Sequence, residues 1–160
     1  MRIYTKNELS HWASVDIYKL DIKRAKEFMS DLILALPNDS LISFEGDLNK
    51  IQKPSFALDI EKSQNLRRNI ISPRMDFWIF RLNEVTKNYL LNDFVNKVGI
   101  RYKVVHISAE CDSKLIFNSN DNLDPEGVFI SCGKFISPEF LNRLEKTGFI
   151  NNIEKIKTTP

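Results

Sequence analysis

The chain predicts an α+β fold, a single domain in which a central, largely antiparallel sheet carries about three helices. Three observations lead there. Short apolar or alternating runs recur along the chain, the links between several of them are of hairpin length, and three segments show three- and four-residue apolar spacing instead. The most apolar run is Met75 to Leu82, entered through the turn Ser72-Pro73 and carrying Phe77, Trp78, Ile79, Phe80 and Leu82. A run this apolar reads as a strand buried on both faces, and hence as an interior strand with neighbours on each side.

The elements follow in order. Ile3 and Tyr4 begin a short strand, and Asn7 is placed to cap a helical turn through Trp12. Val15 to Ile22 alternates as a half-buried strand. Asp21 to Leu36 reads as a helix capped by Asp21, with Ala25, Phe28, Met29, Leu32, Ile33 and Leu36 on one face and Pro37 as the stop. Ser40 to Leu48 is a strand entering a turn at Gly46-Asp47. Asn49 to Gln64 is weakly periodic, a loop with room for one short helix.

Asn83 to Val98 is the second helix, with Asn83 as cap, Glu84 complementing the helix dipole, and Gly99 as the left-handed stop. Its buried side is Val85, Tyr89, Leu90, Phe94 and Val98. Arg101 to Glu110 and Lys114 to Asn118 are strands joined by a short link. A polar loop then leads to a strand at Val128–Cys132. Ser137-Pro138-Glu139 opens the last helix, which ends at Gly148. The polar tail 151–160 is expected to fray.

The chain of 160 residues is one domain by length, 1–160, with ordinary shares of hydrophobic (42%) and charged (28%) residues. No apolar run reaches the ~20 residues that span a bilayer. The start lacks a signal peptide's apolar core, which places the protein in the cytoplasm and off the membrane. The two cysteines, Cys111 and Cys132, have neither metal-ligand spacing nor the density of a disulfide scaffold, and read as reduced core residues. A formal net charge of +2 neither demands nor excludes an anionic partner.

Chemistry-bearing motifs are sparse. The chain contains five glycines and none of the phosphate-loop fingerprints, so no cofactor is assigned, and no Gly-x-Ser-x-Gly elbow occurs. Asn118, Asn120, Asn122 and Asp124 alternate as oxygen donors, yet a calcium loop needs more carboxylates and an earlier glycine, so the stretch reads as a polar interaction loop and no metal site is assigned. Asp112, Asp121, Asp124 and Glu126 make that end of the hairpin acidic. Lys62, Arg67, Arg68 and Arg74 form a basic stretch with no acid between Glu61 and Arg74. Two further functions compete. His106, Ser108 and Glu110 share strand parity, so a small enzyme using His106 and Glu110 is one. A nucleic-acid-binding module using Arg67, Arg68 and Arg74 is the other, weakened by the near balance of charge and the lack of an interleaved aromatic platform.

Three stretches carry a resemblance: Ile42 to Leu48, Leu66 to Trp78, and Val105-His106-Ile107 with Phe117 to Val128. Their order and spacing resemble the small immunity proteins of bacterial polymorphic toxin and contact-dependent growth inhibition systems. The resemblance implies a non-catalytic protein that neutralises a cognate toxin domain by stoichiometric binding. The partner-binding candidates are then Arg67 and Arg68 on the basic loop and Asp112, Asp121, Asp124 and Glu126 on the acidic one.

Overall fold

The computed structural model describes residues 2–58, 63 and 65–159. Their strands are β1 (Ile3–Tyr4), β2 (Ile17–Ile22), β3 (Leu41–Gly46), β4 (Asp76–Arg81), β5 (Val104–Cys111), β6 (Lys114–Ser119), β7 (Val128–Ser131), β8 (Ile150–Lys155) and β9 (Lys157–Thr158). The helices are α1 (Ala25–Ala35), α2 (Glu84–Tyr89), α3 (Val95–Val98), α4 (Ile100–Lys103) and α5 (Pro138–Thr147). Seven strands form one antiparallel sheet in the order β4-β3-β5-β6-β7-β2-β8, and β1 pairs with β9 in a parallel two-stranded ribbon. The fold is α+β, as the alternating and helical periodicities predict.

Strand parity explains how the layers pack. Leu20 and Ile22, Ile42 and Phe44, Trp78 and Phe80, Ile107 and Ala109, and Ile130 all enter one buried cluster with Phe28, Met29, Leu32 and Ile33 of α1 and Phe140, Leu141 and Leu144 of α5. The helices therefore cover a single face of the sheet. An aromatic group consolidates this layer, with the Phe44 and Phe94 rings 4.5 Å apart between centroids. The opposite face carries Leu41, Ser43, Glu45, His106, Ser108, Glu110 and Asn118, and is covered by irregular chain instead of helices.

Several expectations are corrected. The apolar strand β4 is buried as predicted, with Phe77 4% and Ile79 1% exposed, but it is an edge of the sheet. The loop before it covers both needs. Leu58 exchanges two backbone hydrogen bonds with Ile79 (2.7 and 3.1 Å), and Leu66 packs on Phe77 and Ile79. Apolar residues on both faces thus report a folded-over loop here, not a second neighbouring strand.

Asp21 does not cap α1. It stays in β2 opposite Asn152, and α1 starts after Arg24, which makes no side-chain cap. Asn83 does cap α2, accepting from Thr86 N while the Thr86 hydroxyl accepts from Asn83 N. The second helix is broken, however, by a π-helical turn at Leu90–Phe94, and Val85 is 66% exposed. After Gly99 (φ +73°), Ile100–Lys103 forms a further helical turn, so the predicted strand from Arg101 begins only at Val104. Asn7 to His11 forms turns without a helix, and Trp12 bridges to Leu115. The tail does not fray from Asn151. Residues 150–155 form the outer strand β8 against β2, and residues 157–158 pair with β1.

Candidate functional site

His106 and Glu110 do share a face, but they lie four residues apart on β5, about 13 Å along an extended strand. The structure does not bring them together. His106 Nδ1 donates to Asn120 Oδ1 at 3.0 Å, and its cross-strand neighbour is Glu45. Ser108 donates to Asn118 Oδ1 at 2.8 Å.

The carboxylates on this face fasten chain. Glu110, 5% exposed, accepts from Ser63 Oγ at 2.6 Å and from Asn65 Nδ2 at 2.8 Å. Glu45, fully buried, accepts from the backbone N–H groups of Asn69 (2.9 Å) and Ile70 (3.2 Å). Leu66 sits between these two attachments and is itself fully buried. The described residues between 63 and 70 are therefore held across β3 and β5 by a carboxylate at each end and an apolar plug in the middle. Buried carboxylates need such donors, because an uncompensated charge would cost several kcal/mol. Sequence reasoning missed Glu45. Its signal is an acid sharing parity with Ser43 in a strand otherwise apolar.

Of the basic candidates, Arg67 is exposed on this segment and Arg68 is half-buried. Arg67 is exposed and donates from Nε to Ser63 O at 3.3 Å. Arg68 donates to the Met75 carbonyl, and its guanidinium lies 5.4 Å from the centroid of the Phe77 ring. Arg68 thus helps close the turn that leads into β4, while Arg74 is exposed in that turn. Lys62 lies outside the described residues.

The acidic loop between β6 and β7 is tightly determined. Asp121, Asn122 and Leu123 all adopt positive φ (52°, 58° and 64°). Asn122 bonds the β5 start twice, from its backbone N–H to Val105 O (3.0 Å) and from Nδ2 to Val104 O (3.1 Å). Leu123 is 1% exposed and belongs to the helix-side core. Asp124 Oδ1 accepts from Glu126 N at 2.9 Å and caps a short 3-10 turn. Asp121, Asp124 and Glu126 remain exposed. The Asn120 and Asn122 side chains are used internally. Among the described residues no group of three or more His, Cys, Asp or Glu side chains is placed to hold a metal ion.

Asp112 does not join this patch. It lies in the two-residue β5–β6 turn, where Asp112 and Ser113 both have positive φ, at the opposite end of β6 from the acidic loop. Arg67 and Arg68 sit near the Gly46–Asp76 end of β3 and β4, the same end as the acidic loop but about 14 Å across the sheet from β6.

Cys111 and Cys132 are both buried and lie on either side of β6, about 10 Å apart and out of disulfide range. Burial, and secondarily Asp16, pushes the Cys132 thiol up to about 12, which disfavours its thiolate at neutral pH. Among the described residues no helix is long and apolar enough to cross a membrane. Set against known proteins, the chain matches no family model, no curated protein and no solved structure.

Proposed function

We propose that the chain is a non-catalytic immunity protein that binds a cognate bacterial toxin domain in the cytoplasm and neutralises it by stoichiometric complex formation. The observation that supports this most directly is the acidic loop. Three exposed carboxylates, Asp121, Asp124 and Glu126, stand on a backbone fixed by the paired Asn122 bonds, the buried Leu123 and the Asp124 cap. A charged surface that is already ordered loses little entropy on binding and steers a basic partner toward it. The Arg67 end, about 14 Å across the same rim, supplies the opposite sign and fixes orientation. The sequence resemblance to immunity proteins points the same way.

The test has two steps. The tagged chain is used to capture a partner, and the captured polypeptide's C-terminal domain is then expressed with and without the chain. Growth arrest by the domain alone, relieved by co-expression, supports the proposal. Asp121→Asn with Glu126→Gln, which keeps the Asp124 cap, should weaken the complex by roughly tenfold or more at low salt. A captured domain whose toxicity the chain fails to relieve refutes the reading.

A further inference from the structure

The N-terminal segment arches over the helix-free face of the sheet. At one end Tyr4 pairs with Thr158 of β9. At the other, His11 and Ala13 exchange backbone hydrogen bonds with Leu115 (2.8 and 2.9 Å), beyond the end of β7. Under the arch lies a cavity of about 410 Å³ with Tyr4 and Trp12 as walls and Ile17, Leu115 and Phe129 as floor. It continues into a second volume of about 300 Å³ that shares Tyr4, Phe129 and Ile156, and then into a third that shares Lys19, Glu126 and Glu154.

The groove is apolar and aromatic at the arch and negative at its mouth. Its charged lining residues are four carboxylates, Glu8, Asp21, Glu126 and Glu154, against two cations, Arg2 and Lys19. Arg2 is paired with Glu8 at 3.0 Å. Lys19 lies 2.7 Å from Glu126, and its pKa is raised first by that hydrogen bond, with further attraction from Glu126 and Glu154. The mouth already holds one ammonium group among carboxylates, with Glu154 and Asp21 in excess. Under the arch, Asn118 accepts the Ser108 hydroxyl through Oδ1 and keeps Nδ2 as a donor for a peptide carbonyl.

We propose that this groove receives an extended segment of a partner protein that carries a basic side chain next to apolar ones. The cation lies at Glu126 and Glu154, and the apolar side chains lie between Tyr4, Trp12 and Phe129. Glu126 belongs both to the acidic loop and to the groove, so the two form one continuous surface. That the segment comes from a toxin domain rests on the function proposed above, whereas its chemistry rests on the groove.

The experiment titrates the isotope-labelled full chain with two capped peptides, acetyl-Lys-Leu-Phe-amide and acetyl-Glu-Leu-Phe-amide, and reads backbone and Trp12 indole shifts by NMR. The expected result is saturable shifts at Tyr4, Trp12 and Phe129 with the basic peptide, at least tenfold weaker binding of the acidic one, and loss of that preference in Glu154→Lys. Glu154 is exposed, and the dispersion of the same backbone spectra reports that the variant is folded. Equal shifts with both peptides, or none in the groove at millimolar concentration, overturn the proposal. A toxin domain that binds and is neutralised while Trp12 and Phe129 stay unmoved also overturns it, leaving the immunity reading intact. Charge-selective peptide binding without any neutralised toxin supports the groove and counts against that reading.

Discussion

Leu123→Ala is the sharpest probe of whether the acidic loop is as fixed as its geometry states. Leu123 is 1% exposed, so truncation removes three buried carbon groups at about 0.8 kcal/mol each, about 2.4 kcal/mol before any cavity cost. Incomplete collapse of the site raises this to roughly 3 kcal/mol. The backbone supplies an internal control. Leu123 has φ +64°, where an L side chain pays ~1–2 kcal/mol and glycine pays almost nothing. Leu123→Gly deletes one carbon more than Leu123→Ala, about 0.8 kcal/mol, and regains about as much or more from the relieved backbone. The two variants should therefore be nearly equal in stability, with glycine equal or slightly better. At an ordinary strand position glycine would be the worse of the two. Urea unfolding at constant m reads both values. A Leu123→Ala cost below ~1 kcal/mol would show that the loop is not anchored through the core. A glycine variant more than ~1 kcal/mol below alanine would refute the left-handed backbone.

Three other predictions follow from single contacts. Glu45→Gln replaces one of two accepting oxygens by a donor facing backbone N–H groups, and should cost roughly 1.5–3 kcal/mol while speeding amide exchange at Asn69 and Ile70; unchanged exchange there would dismiss the fastening role. Gly46→Ala should destabilise by more than ~2 kcal/mol in urea, because a β-carbon would overlap the Lys103 carbonyl oxygen and approach the Val104 Cα to 2.9 Å, both of them backbone; a neutral result contradicts the β3–β5 approach. The Cys132 thiol keeps its proton in the folded chain up to about pH 12 but loses it in the unfolded chain above about 9, so the folded state binds more protons and stability falls as pH rises between these values, by about 1.4 kcal/mol per unit. Relative to wild type, Cys132→Ala should flatten that slope when urea midpoints at pH 8 and 10 are compared, and equal slopes would contradict the burial.

The helix-side core was legible because parity and helical spacing are local. Phe28, Met29, Leu32 and Ile33 recur at one face's interval, and Ile42 and Phe44 alternate with Ser43 and Glu45, so the buried set follows from neighbours in sequence. What failed depends on distant chain. Glu110 is matched by Ser63, 47 residues away, and Glu45 by Asn69, 24 residues away, so the strand pattern shows two acids but not their donors. β8 was misread because Asn151, Asn152, Glu154 and Lys155 are polar and exposed. An edge strand of that kind is held by backbone pairing to β2, which composition does not encode, and its charges suit an edge open to water. Asp112 was grouped with the acidic loop because both flank one hairpin strand. A strand has two ends, and six residues of β6 separate them by about 20 Å.

The two irregular coverings of the sheet's second face differ in a way that bears on where a partner fits. Over β3 and β5, the chain around Leu66 is drawn down by two buried carboxylates, and the plug itself is fully buried. Opening that seal would leave Glu45 and Glu110 without their donors, at a cost of 1–3 kcal/mol or more for each charged group. A ligand that displaced it would have to replace those hydrogen bonds as well as fill the space. Over β6, β7 and β2, the N-terminal arch is held by the Tyr4 and Leu115 pairings, by the Lys114 ammonium on Ser10 O (2.8 Å) and by the buried Leu9, without a buried carboxylate, and a cavity lies beneath it. Entry there leaves the buried carboxylates Glu45 and Glu110 with their donors, shares Glu126 with Lys19 at the mouth, and gains the faces of Tyr4, Trp12 and Phe129. Glu126 stands at this groove's mouth, while the guanidinium of Arg68 is committed to the Met75 carbonyl and the Phe77 ring. For the partner proposed above, the energetics favour the arch and the acidic loop as the docking surface, with the Arg67 end acting on encounter and orientation.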